Sequence, residues 1–228
     1  MIKYVFLDLD DTIFDFHKAE AIALFGTLSE FGITPDEKTS ERYSKINKSQ
    51  WELLEKKLKT REEVLVDRFT IFFSEIGADI DGRKAREIYE YRLGCGHYFI
   101  DGAEKLLESL YGKYELYLAS NGTESVQTRR IASSGIEKYF NGIFISQSLG
   151  ADKPSPEYFD ACFSRIPNFS KENAIIIGDS ITSDILGGKN AKIKTCLFNP
   201  KGKENLTDVK PDFEIRSLSE IPMLLERI

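Results

Sequence analysis

The stretch VFLDLDDTIF at residues 5–14 decides the fold. From Ile2 to Asp8 the chain is apolar, of strand length, and lacks the polar alternation of a half-exposed strand. It therefore predicts a strand buried on both faces of a parallel sheet. The run then breaks off in Asp8, Asp10 and Asp11, three acids within four residues. Carboxylates so crowded repel one another unless a cation sits among them or water surrounds them.

Similar apolar segments recur downstream: YELYLAS at 114–120, GIFIS at 142–146, NAIIIGDS at 173–180, a weaker IKTCLF at 193–198 and a short FEI at 213–215. Between them, helical periodicity covers 102–111, 124–134, 156–166 and 182–191. A last helix opens on Ser217 and Glu220, a capping box, with Leu218, Ile221, Leu224 and Leu225 on one face. Strands alternating with helices of this length predict an α/β class, a Rossmann-like parallel sheet covered on both faces. Residues 16–99 break the alternation: helical patterns at 17–31, 36–57, 61–76 and 83–94 follow one another without a convincing strand. The expected organisation is an α/β core from 1–15 and 100–228, with an all-helical cap domain, 16–99, inserted after the first strand.

The 228 residues suit one large domain or a domain with a smaller insertion. With 31 basic and 37 acidic residues the net charge is −6, which gives a nucleic-acid polymer or an anionic membrane no electrostatic support. No apolar run approaches the roughly 18 residues of a membrane span. The opening residues read as strand rather than signal peptide, and Cys95, Cys162 and Cys196 are odd in number and widely spaced. A cytoplasmic protein is expected. Cys162 falls in register with Phe159, Phe163 and Ile166, a core position.

Ligands of open parallel sheets bind outside the carboxyl ends of the strands. Here those ends carry Asp8, then Ser120-Asn121-Gly122, then Lys153, then Gly178-Asp179-Ser180. Asp8 and Asp10, two apart in extended backbone, lean to the same side. Together with Asp179 and Asp184 they form an all-oxygen donor set without histidine or cysteine, which suits Mg²⁺. Lys153 precedes Pro154-Ser155-Pro156, where Ser155 reads as a helix N-cap and Pro156 as the first helical residue. Ser120 and the amides around Asn121-Gly122 add donors before another helix. A cation, a lysine, a hydroxyl and helix N-termini around a free carboxylate suit phosphate.

In these residues the sequence resembles the haloacid dehalogenase superfamily of phosphohydrolases, in the group with an inserted helical cap (C1 type). DLDDT at 8–12 is similar to the first family motif, with Asp11 where glycine is common; Ser120 corresponds to the second, Lys153 to the third, and Gly178-Asp179 with Asp184 to the fourth. The resemblance implies that Asp8 attacks phosphorus and becomes an aspartyl-phosphate, while Asp10 protonates the leaving alcohol and then activates water. It implies Mg²⁺ held by the Asp8 carboxylate, the Asp10 main-chain carbonyl and Asp179, with Asp184 behind a water. Lys153, Ser120 and Asn121 are then expected on the phosphoryl oxygens. NKSQW at 47–51, VDRF at 66–69, SNG at 120–122 and DILGG at 184–188 resemble the pyrimidine 5′-nucleotidase branch. This implies a nucleoside 5′-monophosphate phosphatase in which Asn47 and Trp51 touch a base or sugar.

A sugar-phosphate phosphatase or phosphomutase shares every core residue and is the alternative. A haloacid dehalogenase needs the nucleophile but neither a leaving-group acid nor Mg²⁺, so Asp10 and the Asp179/Asp184 pair speak for phosphate. A receiver-type signalling module is about half this length and carries its phospho-accepting aspartate on a middle strand. The structural reading assigns Asp11 to a turn, Gly187-Gly188 to helix packing and His17 and His97 to solvated positions. The cap aromatics Tyr43, Trp51, Phe69, Phe72 and Phe73 are expected mostly in a core, the base contact being the other reading of Trp51.

Overall fold

Tyr4 to Leu7 have no polar side to turn toward water, and in the computed structural model, which describes residues 1–228 apart from the Glu37 side chain, this segment lies at the centre of the sheet. The six strands are β1 (Tyr4–Leu7), β2 (Glu115–Ser120), β3 (Gly142–Ile145), β4 (Ala174–Gly178), β5 (Lys194–Phe198) and β6 (Phe213–Ile215). All pair in parallel, in the order β3-β2-β1-β4-β5-β6. The order reverses at β1, so the carboxyl end of β1 opens at the topological switch point of the sheet. Leu7 stands opposite Leu118 on one side and Ile177 on the other, which brings Asp8 level with the ends of β2 and β4.

The chain divides into two units, Met1–Asp15 with Tyr98–Ile228, and Phe16–His97. The second is all helical: α1 (Phe16–Glu30), α2 (Glu37–Glu55), α3 (Arg61–Glu75) and α4 (Gly82–Leu93). Their starts follow local chemistry. Asp36 and Thr39, and Thr60 and Glu63, close reciprocal capping boxes, and Asp81 caps α4. Tyr43, Phe69, Phe72, Phe73 and Tyr89 fill the interior, with Tyr43 and Phe69 ring centroids 5.1 Å apart.

In the α/β unit the remaining helices are α5 (Ala103–Leu110), α6 (Glu124–Ser134), α7 (Ser146–Leu149), α8 (Pro156–Phe163), α9 (Leu186–Ala191) and α10 (Ile221–Arg227). Alternation along each strand feeds two cores. Val5, Leu7, Leu116, Leu118, Ile175 and Ile177 face α5, α6 and α10. Tyr4, Phe6, Tyr117, Ala119 and Ile176 face α8 and α9, where Cys162 is fully buried. The helical pattern at 182–191 begins as a π-helical turn, Ile181–Ile185, before α9. The wider turn is a feature found mostly at functional sites. Phe14 bridges Phe99, and the Asp15 amide donates to the Tyr98 carbonyl at 2.7 Å, so the two ends that lead to the insertion are paired. Among the described residues no helix is long and apolar enough to cross a membrane.

Candidate active site

After β1 the chain folds back on itself at once. The amides of Ile13 and Phe14 both donate to the Leu9 carbonyl, at 2.9 and 2.8 Å, and the Asp11 amide donates to the Phe14 carbonyl. This requires a positive φ of 58° at Asp11, a conformation that aspartate tolerates better than most residues. Asp11 thus occupies the turn expected of it. The tight loop leaves Asp8 at the strand end and presents Asp10 beside it.

Lys153 is enclosed, with 1% of its side chain exposed, and uses all three ammonium protons. They go to Asp8 Oδ1 at 2.7 Å, Asp184 Oδ1 at 2.6 Å and the Ala119 carbonyl at 2.7 Å. Asn121 grips the lysine by its main chain: its Nδ2 donates to the Lys153 carbonyl and its Oδ1 accepts the Lys153 amide, both at 2.8 Å. The Asn121 amide is therefore spent on placing Lys153, where direct phosphate contact was expected.

Asp184 comes from the π-helical turn and lies against β4. Its Oδ2 accepts the Ser180 amide at 3.1 Å, and a Cβ on residue 178 would stand 2.2 Å from that oxygen, so only glycine fits there. Asp8, Asp179 and Asp184 each bring a carboxylate oxygen to within 4.8 Å of the others. Burial, then Asp184 and Asp10, push the Asp8 carboxyl up to about 8, against the pull of Lys153. Asp179 also lies well above the carboxylate range, through crowding by protein and then through Asp8, Asp184 and Asp11. The Asp179 side chain itself reaches the surface. Burial works against the charge of Lys153, but Asp184 and Asp8 outweigh it and hold the ammonium above its ordinary value. For the Asp8–Lys153 pair the lysine's direction is the firm one, because it is shared between two carboxylates. Three acids facing one lysine leave an excess of negative charge.

Ser120 Oγ accepts two hydrogen bonds, from the Gly122 amide at 3.1 Å and from Gln127 Nε2 at 2.9 Å. Both lone pairs are taken, which leaves its proton to be donated to a ligand. Asp10 is held from α6, by Arg130 Nη1 on Oδ1 at 2.5 Å and by Gln127 Nε2 on Oδ2 at 2.6 Å.

A model of the haloacid dehalogenase-like hydrolase family matches residues 5–198. The chain belongs to that family. The HAD-hydrolase YfnB of Bacillus subtilis is 39% identical over 98% of this chain and 95% of its own. Its crystal structure in an orthorhombic form, bound to magnesium, superposes with a TM-score of 0.94 over 98% of each chain. The pyrimidine 5′-nucleotidase PynA of Streptococcus pneumoniae is 38% identical over 99% of this chain and 95% of its own. L-2-haloacid dehalogenase of Xanthobacter autotrophicus, at 14% identity and a TM-score of 0.80 over 99% of each chain, shares the fold.

Within this haloacid dehalogenase-like hydrolase, the two residues expected to touch a base lie in the helical unit. Asn47 is buried, and its amide is engaged there: Nδ2 donates to Glu20 Oε1 at 2.8 Å, while Oδ1 accepts from Trp51 Nε1 at 3.0 Å and from Arg68 Nη1 at 3.1 Å. Trp51 is half-buried, and the Arg61 guanidinium lies 5.4 Å from its ring centroid. Gln127 and Arg130 did not emerge from the sequence as site residues. Their signal was a breach of pattern, since both lie on the buried face of α6 with Val126 and Ile131, where helical periodicity calls for apolar side chains.

Proposed function

We propose that this hydrolase is a Mg²⁺-dependent phosphomonoester phosphatase that works through an aspartyl-phosphate, and that its substrates are nucleoside 5′-monophosphates, pyrimidines foremost. The observation that carries the reading is Asp8 at the sheet's switch point, joined to Lys153 and to the acidic cluster. The cluster fits the ion on its chemistry. Its donors are hard carboxylate oxygens that lie within 4.8 Å of one another, the donor chemistry that Mg²⁺ prefers. Asp8, Asp179 and the Asp10 carbonyl would hold it, with Asp184 behind a water. When bound, the ion supplies positive charge for the phosphoryl oxygens and relieves the excess of carboxylates.

Lys153 holds one Asp8 oxygen and leaves the other to attack phosphorus. The P–O bond to the alcohol breaks as the acyl phosphate forms, and Asp10 delivers the proton that the departing oxygen requires. Water then attacks phosphorus, Asp10 takes its proton, and inorganic phosphate leaves a free Asp8. Ser120 donates its remaining proton to a phosphoryl oxygen, and Asn121 serves by fixing Lys153. Trp51 is the proposed base contact, with Asn47 holding the indole N–H. The nucleotide preference draws support from PynA, which matches almost the whole chain.

The test is a panel of UMP, dUMP, dTMP and sugar phosphates, each with Mg²⁺ and with excess chelator. Highest kcat/KM on a pyrimidine nucleotide and loss of turnover on chelation are expected. Preference for a sugar phosphate would move the enzyme to the alternative class. Full activity in chelator would remove Asp179 from its metal role.

A further inference from the structure

We infer that Gln127 and Arg130 form a built-in cradle that fixes the rotamer of Asp10 and couples it to the phosphate-facing hydroxyl of Ser120. This rests on the proposed role of Asp10 as leaving-group acid and water-activating base.

The two residues are three apart on α6, hence on one face of the helix. Each takes a different oxygen of the same carboxylate, so rotation of Asp10 about its last torsion would break both bonds. They also brace one another, with Arg130 Nη1 donating to Gln127 Oε1 at 3.0 Å. Arg130 has no exposed side-chain surface, and its guanidinium lies 5.1 Å from the Phe14 ring centroid. Phe14 belongs to the same folded-back loop as Asp10, so the loop that carries the carboxylate also supports its partner.

A second observation concerns Gln127. A Cβ at residue 122 would stand 2.2 Å from Gln127 Nε2 and 2.6 Å from its Cδ. Glycine at the end of the Ser120-Asn121-Gly122 turn is thus what lets the Gln127 amide pass close enough to serve two masters, Asp10 Oδ2 and Ser120 Oγ. The glutamine occupies the second lone pair of Ser120, which directs the hydroxyl proton outward, and with the same nitrogen it fixes Asp10. Phosphate recognition and proton transfer are oriented by one side chain. Each Asp10 oxygen retains a further lone pair, on which a proton is carried or received. A carboxylate held by two donors meets the geometric demand on a general acid–base group; a misplacement of about 1 Å costs on the order of 10²-fold.

The experiment measures kcat/KM for aryl phosphates of graded leaving-group acidity, from 2,4-dinitrophenyl through p-nitrophenyl to phenyl phosphate, in wild type and in Asp10→Asn, Gln127→Leu, Arg130→Met, Arg130→Lys and Gly122→Ala. This quantity reports the steps up to departure of the alcohol and not the later hydrolysis of the acyl phosphate. Melting curves accompany each protein. A good leaving group departs without a proton, so a defect in Asp10 alone grows as the leaving group worsens. Arg130→Met is expected to lose about 10²-fold on phenyl phosphate and far less on 2,4-dinitrophenyl phosphate. Gln127→Leu and Gly122→Ala, which also release the Ser120 hydroxyl, should show the same steepening on top of a loss shared by every ester. Arg130→Lys should recover part of the loss. Equal losses on every ester in folded variants, or no loss, would overturn the cradle while leaving Asp10 in place. Should Asp10→Asn itself lose rate equally across the series, the acid–base reading fails, and the cradle falls with it for that separate reason. If Arg130→Met does not fold, Gln127→Leu and Gly122→Ala decide the matter alone.

Discussion

Two arginines are almost entirely enclosed, Arg130 in the α/β unit and Arg68 in the helical unit, with 0% and 2% of their side chains exposed. Both pair with carboxylates and both lie against aromatic rings, yet their neighbourhoods differ in what they leave unfinished. Arg68 donates to Asn47 Oδ1 and the Leu65 carbonyl, stands 3.7 Å from Glu90, and has the Phe69 and Tyr89 rings at 5.2 and 4.9 Å. Arg86 Nε lies 3.3 Å from the same Glu90 carboxylate, so with Glu20 reached through Asn47 two arginines face two glutamates and nothing further is called for. Around Arg130 the balance fails: Asp10 is matched, but next to it Asp8, Asp179 and Asp184 share a single lysine. A buried charge that is fully matched marks structure. A cluster with charge left over marks a place for a ligand.

The largest effect that would break this contrast belongs to Asp8. Asp8→Asn should lower kcat by about 10⁴-fold or more, as removal of a nucleophile does. In metal-free protein it should leave the melting temperature unchanged or higher, because it removes one of the crowded acids. Residual turnover of more than a few per cent would end the covalent mechanism.

The mirror-image result is expected of Arg68→Met. It leaves Glu90 to Arg86 alone and removes the cation that Asn47 holds beside buried Glu20, so stability should fall by up to about 3–5 kcal/mol, the scale for breaking a buried pair. Turnover of p-nitrophenyl phosphate by the folded fraction should change little. A full-strength melt with crippled kcat would erase the distinction between the two arginines.

Trp51→Ala sharpens the picture on a smaller scale. It should weaken kcat/KM for a pyrimidine nucleotide by about 1–3 kcal/mol, one base-stacking contact, and scarcely touch p-nitrophenyl phosphate. Unchanged nucleotide hydrolysis in a folded protein would withdraw Trp51 as a base contact.

The subtlest case is Glu20. Burial raises its carboxyl above the ordinary glutamate value, although hydrogen bonds from Ser44 and Asn47 and the charges of His17 and Arg68 oppose the shift. The native state then binds this proton more readily than the unfolded chain. Stability from Glu20 is present below the ordinary glutamate range and is lost as pH rises toward the folded value. Glu20→Gln should therefore gain on wild type in melting temperature as pH increases from about 4.5, the ordinary glutamate value. A constant difference across that range would show that Glu20 titrates alike in both states.

The sheet was legible because its strands have one composition: Tyr4–Leu7, Leu116–Ala119 and Ala174–Ile177 are apolar without interruption, and they lead into Asp8, Ser120 and, past Gly178, Asp179. Asp8 and Asp179 were legible for the same reason, at strand ends where polar groups converge, and Lys153 and Asp184 from the loop and helical turn that follow such ends. Gln127 and Arg130 were hidden because a helix face is read for its apolar majority, and two polar residues on it look like noise until their partner at Asp10 is known. The bonds of the Asn121 side chain to the Lys153 main chain were not legible. Whether an amide faces a ligand or a neighbouring main chain depends on a loop geometry, here that of Lys153, which spacing along the chain does not encode.

The pairing of Asp15 with Tyr98 has a consequence for inheritance as well as for stability. The chain departs for its insertion and returns at neighbouring backbone positions, so the α/β unit sees a closed turn whatever is strung between them. Loop-closure entropy grows slowly, by about 0.6 kcal/mol per doubling of length, and an insert that folds on its own contacts lowers even that. Such a doorway makes the helical unit exchangeable cargo. The same α/β unit can accept inserts of different length and composition without redrawing a single strand.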